Sequence, residues 1–365
     1  MNPDTGNPIF LTRGNPAKEA LPLAEIADCA RAVFSSEGEV LFQYGHYSGY
    51  TPLRRWIAEK FDVAVEQVLL GNGSMEFLTF IGAVMVQKGD TVYLESPSYD
   101  RAITAMNRTG AHVVGIPLEP DGVNIERLKE ALKRSVPRLF YLIPDFQNPS
   151  GVTTSLEKRK EIAHLAEKHG FVVIEDAPYR NLRYRGEEIP ALKDLIPDRV
   201  IHTSSFSKVL SPGLRIGFMM GPADLMTKFH KWSEDTCIHP SLPTEGIAYE
   251  YCRRGLLDPN IERLKALYRP RMDAMLEALD TYLKDAEWIR PEGGFFISTT
   301  LPDHVDGNGV RDNAKKFGIV LSDGRGFFPD RGGENFVRLP FSALTPDEIK
   351  EGVKRLAQAI ESYTK

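Results

Sequence analysis

The chain has 365 residues, 42% of them hydrophobic and 26% charged, which is enough apolar material for one large or two medium globular domains. Its formal net charge of −5 gives no reason to expect nucleic acid or an anionic membrane as a partner. The three cysteines are widely spaced, so neither a disulfide framework nor a zinc or other metal site is indicated. With no signal-peptide pattern and no long apolar run, we expect a cytoplasmic protein without a membrane span.

The first elements are an extended arm and two helices. Residues 1–20 are rich in Pro, Gly and Asn, which is typical of an extended arm. Apolar residues then recur at helical spacing between Leu23 and Phe34, and this predicts an amphipathic helix that ends before Gly38. A second helix is predicted to begin at the pair Thr51-Pro52, with a cap and a first-turn proline.

From about residue 68, short apolar runs alternate with amphipathic helices. This alternation predicts an α/β fold with a mostly parallel sheet covered by helices on both faces. Ligands of such sheets bind beyond the carboxyl ends of the strands. The predicted strands are Val68–Leu70, Val92–Leu94, Val113–Ile116, Leu139–Ile143, Val172–Ile174, Val200–His202 and Ile216–Met220, with a helix over Leu156–His169.

After roughly residue 255 the pattern changes to that of a smaller α+β unit. A long helical pattern comes first, and isolated strands and helices follow it. The predicted elements are a helix over Ile261–Leu283, a strand over Gly293–Ser298, a helix over Val310–Phe317, strands over Ile319–Leu321 and Phe336–Leu339, and a terminal helix started by Thr345.

One lysine lies in a turn between the last two predicted strands of the large sheet. Around Lys208 the sequence places the hydroxyls of Ser205 and Ser207 and the guanidinium of Arg215. Such a set can hold a phosphate group while the lysine stays free for chemistry. An amine among donors and apolar residues has its charged form disfavoured, so Lys208 is a candidate nucleophile for a Schiff base.

The run Ser205-Phe-Ser-Lys208, followed by Pro212-Gly-Leu-Arg215-Ile-Gly, resembles the lysine segment of the class I/II aminotransferases, which are fold type I pyridoxal-phosphate enzymes. Within them the chain is most similar to the subgroup of 2-aminoadipate and broad-range aminotransferases and of the aminotransferase-like domains of MocR-type regulators. The resemblance implies pyridoxal 5'-phosphate as cofactor and a homodimer with shared active sites. It also implies a large domain with a seven-stranded-type sheet (45–255) and a small domain (21–44 and 256–365).

Further residues follow predicted strands in the order that the family shows. The resemblance implies that Asn148 and Tyr179 hydrogen-bond the phenolic oxygen of the cofactor and that Asp176 pairs with its pyridine nitrogen. A carboxylate there keeps the ring protonated, so that it can accept electrons from the substrate. Its neighbour Glu175 is expected on the other face of the strand. The predicted catalytic residues are therefore Lys208, Asp176 and Tyr179.

A glycine turn before a helix completes the predicted cofactor site. Gly73, Ser74 and Met75 open onto a helix N-terminus, where free amides and the helix dipole favour an anion. By itself the turn is equally consistent with a simple cap in which Ser74 is the capping residue. The resemblance makes it half of a phosphate cup, places Tyr99 against the cofactor ring, and brings Tyr44 from the partner subunit to the phosphate.

The substrate side is less defined by the sequence. Arg338 lies in a short apolar strand and needs an anionic partner, which the resemblance identifies as the substrate α-carboxylate; Asn148 and Gly14 are predicted to border the same substrate. The arginines that no motif assigns, each a possible contact for a side-chain carboxylate, are Arg13, Arg180, Arg183 and Arg325.

These features predict an aminotransferase that moves an amino group between an L-amino acid and a 2-oxo acid in a ping-pong cycle. An aromatic, branched-chain or 2-aminoadipate-like substrate fits the resemblance. A C–S β-lyase or decarboxylase of the same fold is the nearest alternative. A non-catalytic pyridoxal-phosphate-binding sensor domain is an alternative of another class.

Overall fold

The computed structural model describes residues 7–364, and six residues of the predicted arm lie outside them. The helices of the first half are α1 (Leu23–Leu41), α2 (Thr51–Phe61), α3 (Ser74–Met85), α4 (Asp100–Arg108), α5 (Ile125–Arg134) and α6 (Leu156–His169). The later helices are α7 (Leu192–Leu195), α8 (Ala223–Cys237), α9 (Leu242–Arg253), α10 (Leu257–Tyr282), α11 (Gly307–Ala314) and α12 (Pro346–Thr364).

Strands of three separate sheets lie between and beside these helices. The strands of the first half are β1 (Ile9–Leu11), β2 (Val68–Gly71), β3 (Thr91–Ser96), β4 (His112–Glu119), β5 (Gly122–Val123) and β6 (Leu139–Leu142). The later strands are β7 (Val172–Asp176), β8 (Val200–Ser205), β9 (Gly217–Met220), β10 (Glu287–Trp288), β11 (Phe296–Thr300), β12 (Ile319–Leu321) and β13 (Phe336–Pro340).

The large sheet has the order β2-β9-β8-β7-β6-β3-β4-β5. Neighbours from β8 to β4 pair in parallel, and only β9 and β5 run against the other strands. The mostly parallel sheet expected from the sequence is confirmed. Its eighth strand is β5, a two-residue return after β4 that the apolar pattern did not indicate because it is too short.

The sheet is buried on both faces, and alternate residues of one strand enter different cores. Val92 and Leu94 pack in one apolar cluster, whereas Tyr93 between them packs in the other. Ile174 and Val173 divide between the two clusters in the same way. Because side chains of a strand alternate between the faces of a sheet, Glu175 and Asp176, which follow Ile174, point to opposite faces.

Two of the predicted helices differ in detail from the structure. The first helix does not end before Gly38 but continues to Leu41, with a kink at Glu37, where φ is −129°. The second begins at Thr51, so Tyr50 and not Thr51 is the residue before the first turn. In contrast, α6 has the predicted bounds, because Ser155 caps its first turn and Gly170 ends it in the left-handed conformation.

The chain after α9 forms the second sheet, and the arm joins a separate two-stranded one. Strands β10, β11 and β13 form an antiparallel sheet, whereas β1 of the arm pairs in parallel with β12. The predicted strands near residues 319 and 336 are confirmed. The predicted strand from Gly293 begins only at Phe296, and the predicted helix to Phe317 is α11 followed by one 3-10 turn.

Among residues 7–364, each helix is too short or too polar to cross a membrane.

Candidate active site

The carboxyl ends of five strands of the large sheet meet at one edge. The segments after β2, β3, β6, β7 and β8 leave the sheet there, and β9 enters it there because it runs in the opposite direction. A cleft at this edge is lined by Ser74, Met75, Tyr99, Ile143, Asn148, Asp176, Pro178, Tyr179, Ser205, Ser207, Lys208, Pro212 and Arg215. We call it the inner cleft; apart from Gly73 and Tyr44, every residue that the sequence predicted to bind the cofactor lines it.

A second, outer cleft leads from the same place toward the arm. Its lining residues are Thr12, Arg13, Gly14, Asn15, Tyr99, Asp100, Arg101, Asn148, Tyr179, Lys208, Phe296, Ser322 and Arg338. Tyr99, Asn148, Tyr179 and Lys208 line both clefts, so these side chains form the boundary between them.

Lys208 lies in the turn after β8, with its amine between aromatic rings. Its Nζ is 5.8 Å from the ring centre of Tyr179 and 5.6 Å from that of Phe295, and it donates a hydrogen bond to the Gly14 carbonyl at 3.0 Å. Burial lowers the pKa of Lys208 to about 8, and the positive charges of Arg215 and Arg338 act in the same direction. A substantial fraction of this amine is therefore neutral and nucleophilic near pH 8.

Asp176 is the last residue of β7 and points into the inner cleft. Tyr141 donates a hydrogen bond to its Oδ2 at 2.7 Å, and Thr203 donates one to its Oδ1 at 3.1 Å. Burial raises the pKa of this carboxyl, and the two hydrogen bonds oppose the rise. Among residues 7–364, no cationic side chain forms an ion pair with it, so a cationic ligand atom would complete its surroundings.

Glu175 points to the opposite face of the sheet, as the alternation requires. It accepts hydrogen bonds from the backbone of Leu192 at 2.7 Å and from His202 Nδ1 at 2.9 Å. Burial works against ionisation here, but the contacts to His202 and Leu192 and the charge of Arg159 lower the pKa of Glu175 to about 2. Asp176 and not Glu175 therefore lines the inner cleft, and the assignment of the pyridine contact to Asp176 stays a prediction.

The turn before α3 is shaped for an anion. Gly73 has φ +93°, and a Cβ at this position would overlap Nη2 of Arg215. Across the turn, a Cβ on Gly217 would lie 2.6 Å from the amide nitrogen of Ser74. Ser74 does not cap the helix, because the residue before the first turn is Gly73 and no side chain accepts from the first amides. The capping alternative is therefore wrong. The amide of Gly73 donates to the Gly71 carbonyl at 2.8 Å and that of Glu76 to the Gly73 carbonyl at 3.1 Å, so the amides of Ser74 and Met75 are the ones left for a ligand.

Hydroxyls and a guanidinium lie opposite these amides. The Oγ atoms of Ser205 and Ser207 are 2.7 Å apart, and Arg215 is fixed by a hydrogen bond to the Asn72 carbonyl at 2.9 Å. Together with the amides they provide the neutral and charged donors that a phosphate group needs. With a carboxylate at Asp176 and an amine at Lys208, the inner cleft fits pyridoxal phosphate.

Arg338 lies in β13 and enters the outer cleft. Its Nη1 donates to Oδ1 of Asn148 at 2.9 Å, its Nη2 donates to the Thr12 carbonyl, and its Nε is buried without a hydrogen-bond partner. The guanidinium carbon is 5.0 Å from the ring centre of Phe296 and 4.4 Å from that of Phe327. No carboxylate of residues 7–364 pairs with it, so the described chain does not itself supply the anionic partner expected from the sequence.

Two tyrosines stand at the boundary of the clefts. The hydroxyl of Tyr179 has no hydrogen-bond partner within the described chain, and burial raises its pKa well above the usual range. Tyr99 precedes the first turn of α4, and burial raises its pKa to about 12. Both hydroxyls therefore remain protonated near neutral pH and can donate hydrogen bonds.

The other residues that the sequence singled out do not line the inner cleft. Tyr44 is 78% exposed and lies outside both clefts of its own chain. Gly14 lines the outer cleft. Of the unassigned arginines, Arg180 pairs with Asp145, Arg183 with Glu292 and Asp145, and Arg325 with Glu334 and Asp306. Arg13 lines the outer cleft and is the arginine of this set without such a partner among residues 7–364.

Sequence reasoning missed the two hydroxyls that hold Asp176. Thr203 stands directly opposite Asp176 in the β7–β8 register, and Tyr141 lies on β6, the other neighbour of β7. Their positions within apolar strands gave no functional signal. Only an alignment of the strands would have placed these hydroxyls beside the carboxylate.

Comparisons with known proteins agree with this geometry. The family model described as aminotransferase class I and II matches residues 7–356. Aromatic-amino-acid aminotransferase 1 of Thermococcus litoralis is 35% identical, covering 99% of this chain and 90% of the relative. The 2-aminoadipate transaminase of Thermus thermophilus is 36% identical, covering 95% of this chain and 89% of the relative.

A solved structure extends the similarity to the whole fold. It is that of an alpha-aminoadipate aminotransferase from Thermus thermophilus in complex with N-(5'-phosphopyridoxyl)-L-leucine. The TM-score is 0.94 at 36% identity, covering 98% of this chain and 93% of that chain.

Proposed function

This chain belongs to the class I and II aminotransferases, and we propose that the two clefts divide the work of a pyridoxal-phosphate-dependent amino transfer. The inner cleft holds the cofactor and the outer cleft holds the amino acid or 2-oxo acid. When bound, the cofactor supplies the aldehyde that takes up the amino group and the ring that accepts electrons from the substrate. The four side chains shared by the clefts lie where the two ligands would meet.

In this proposal the polar residues of the inner cleft have defined roles. Lys208 would carry the cofactor and, once the substrate has displaced it as a free amine, would take the proton from the substrate Cα and deliver it to the C4′ carbon of the cofactor. Asp176 holds a proton on the pyridine nitrogen, while Asn148 and Tyr179 donate hydrogen bonds to the phenolic oxygen. Tyr99 packs against the ring. The phosphate would be held by the backbone amides of Ser74 and Met75, in the turn that Gly73 forms, and by the side chains of Ser205, Ser207 and Arg215.

The observation that carries the proposal is that Arg338 is buried without a carboxylate partner among residues 7–364. A buried guanidinium with an unpaired Nε and no carboxylate partner is costly unless an anion joins it. It shares the outer cleft with Lys208. An α-carboxylate on Arg338 would therefore hold the substrate Cα near the amine, and this orientation selects the bond to hydrogen for cleavage.

The amino donor is an L-amino acid of the aromatic, branched-chain or 2-aminoadipate type. The names of two relatives support the aromatic and 2-aminoadipate types, and the leucine adduct in the similar solved structure supports the branched-chain type. Phe296, Tyr99 and Tyr179 provide apolar surface in the outer cleft, whereas Arg13 and Arg101 provide positive charge.

The active unit in this proposal is a homodimer in which Tyr44 of a second copy reaches the phosphate. The exposure of Tyr44, and of Phe42 (68% exposed) beside it, supports a contact surface there. No nucleic-acid partner is part of the proposal. Cytoplasmic location remains a prediction, supported by three free cysteines, which a reducing compartment preserves.

The division into an arm (1–20), a large domain (45–255) and a small domain (21–44 and 256–365) is part of the same proposal. The large sheet, which spans residues 68–220, and the three-stranded sheet, which spans residues 287–340, support two units. The placement of residues 21–44 has the least support, because α1 packs mainly on α9, which the division assigns to the large domain.

A single-turnover reaction tests the proposed function. The cofactor-loaded protein is mixed with one L-amino acid and no acceptor, and the products are separated by chromatography. We expect equal amounts of the 2-oxo acid and the aminated cofactor. Release of ammonia with pyruvate, or of carbon dioxide, would instead identify a lyase or a decarboxylase. A protein that binds the cofactor but converts no amino acid would favour a sensor.

A further inference from the structure

The outer cleft contains polar groups that the binding of an α-carboxylate by Arg338 does not use. Ser322 lines this cleft, and its Oγ is buried without a hydrogen-bond partner. Arg13 lines the same cleft and has neither an ion pair nor a side-chain hydrogen bond among residues 7–364. A buried hydroxyl without a partner costs free energy that a bound acceptor would remove.

Strand pairing brings Arg13 and Ser322 to the same end of one small sheet. The arm strand β1 pairs in parallel with β12, and Leu11 stands opposite Leu321. Arg13 follows Leu11 by two residues and Ser322 follows Leu321 by one, so both leave the carboxyl end of this small sheet. The carbonyl of Thr12, the residue before Arg13, accepts a hydrogen bond from Arg338. This contact ties the carboxyl end of the small sheet to the proposed carboxylate site.

The balance of charge in the outer cleft favours a second anion. Arg13, Arg101 and Arg338 line it, and the only carboxylate among its lining residues is Asp100. Asp100 already lies 3.7 Å from Arg101, its neighbour on α4. With Arg338 occupied by the α-carboxylate, Arg13 still lacks a negative partner. An apolar substrate side chain would leave the Ser322 hydroxyl without a hydrogen-bond partner and the exposed Arg13 without a negative partner.

We propose that Arg13 and Ser322 bind a carboxylate at the far end of the substrate side chain, and that Arg13 determines a preference for dicarboxylic over monocarboxylic ligands. The guanidinium provides two parallel donors for a planar carboxylate, and the hydroxyl provides a third. This inference rests on the proposed function in one respect, because it takes Arg338 as the site of the α-carboxylate. Of the aromatic, branched-chain and 2-aminoadipate-type substrates proposed above, this inference selects the acidic ones.

Binding of unreactive acids to the cofactor-loaded protein tests the inference without turnover. Adipate and hexanoate have the same chain length and differ only in the second carboxylate, so the ratio of their dissociation constants from calorimetry isolates that group. We expect adipate to bind the wild-type protein about tenfold more tightly, as one charge-assisted hydrogen-bonded contact would give. In Arg13→Gln the ratio is expected to fall to about one, and in Arg13→Lys to recover in part.

The matched control is Arg31→Gln, which removes an exposed arginine of α1 whose one ion pair within residues 7–364 is with Asp28 on the same helix. Its adipate preference should equal that of the wild-type protein. Ser322→Ala should reduce the preference by a smaller factor than Arg13→Gln. An undiminished preference in Arg13→Gln, or no preference in the wild-type protein, would overturn the inference. If the preference depends on Arg13 but no amino acid is converted, the inference holds and the proposed function fails.

Discussion

Arg338 Nη1 donates a hydrogen bond to Oδ1 of Asn148 at 2.9 Å, and this one contact joins β13 to the loop after β6. Because the amide oxygen accepts from Arg338, the amide nitrogen of Asn148 is left to donate to another group. The residue that would bind the substrate therefore also sets the orientation of a residue that would bind the cofactor. The following predictions start from this pair and from the groups around it.

Replacement of Arg338 should weaken substrate use more than it weakens cofactor binding. Arg338→Gln removes a charged bidentate donor, so we expect kcat/KM to fall about 10- to 100-fold, mainly through a higher KM. Arg338→Lys keeps the charge but not the planar fork and should recover only part of the loss. Steady-state kinetics check this, with Arg185→Gln as the control, since Arg185 is an exposed arginine paired with Asp273. Unchanged kinetics in Arg338→Gln would contradict the proposed role.

The lowered pKa of Lys208 predicts how the stability of the cofactor-free protein varies with pH. Between about 8 and the ordinary value of 10.5, the unfolded chain holds a proton on this lysine that the folded chain has lost. The contribution of Lys208 to the free energy of unfolding therefore rises as the pH rises through this window and is unfavourable below it. Urea unfolding as a function of pH should show that Lys208→Met removes the rise and stabilises the protein near pH 7.

The control for this measurement is Lys133→Met, which replaces an exposed lysine of α5. Its stability profile should follow that of the wild-type protein. If Lys208→Met has the same profile as the wild-type protein, the amine is not desolvated as described.

Replacing the carboxylate of Asp176 should slow the reaction more than replacing the hydroxyl of Tyr141, which donates a hydrogen bond to it. Asp176→Asn cannot hold a proton on the pyridine nitrogen by charge, so we expect kcat to fall by at least about 100-fold. Tyr141→Phe removes only the hydrogen bond to Oδ2, and a loss of about tenfold is expected. Single-turnover rates measure both. An effect of Tyr141→Phe as large as that of Asp176→Asn would mean that Tyr141 does more than support the carboxylate.

Gly73 and Gly89 form a matched pair for the anion site. Both have φ +93°, but a Cβ on Gly73 would overlap Arg215, whereas a Cβ on Gly89 would meet nothing within 4 Å. The positive φ alone costs alanine about 1 to 3 kcal/mol of stability at either position. Only Gly73→Ala should weaken the binding of pyridoxal phosphate and of inorganic phosphate, as measured by equilibrium dialysis. Equal affinities in the two variants would exclude this turn as a phosphate site.

Shared sites predict complementation between two inactive variants. In a mixed dimer of Tyr44→Ala and Lys208→Ala, one site receives Lys208 from the first chain and Tyr44 from the second, and the other site receives neither. Mixing and refolding the two variants should therefore restore a fraction of the wild-type activity. If no activity returns although mixed dimers form, Tyr44 acts within its own chain or not at all.

Much of the inner cleft followed from the sequence, because its residues lie in short motifs directly after strands. Asn148, Asp176 and Lys208 each follow an apolar run whose strand could be recognised by its length and composition. In a parallel sheet such positions meet at one edge whatever the strand order. The alternation of side chains along β7 also assigns Asp176 and Glu175 to opposite faces from their positions in the sequence alone.

The tertiary structure decided the contacts between distant segments. Lys208 and Gly14 are 194 residues apart, and Asn148 and Arg338 are 190 residues apart. Such contacts depend on the packing of elements and on the register between strands, which local periodicity does not encode. The sequence, through its resemblance to the family, therefore predicted which residues would perform the chemistry. Only the folded chain decided that residues 12–15 of the arm line the outer cleft, that Arg338 hydrogen-bonds Asn148, and that Arg13 and Ser322 line the same cleft.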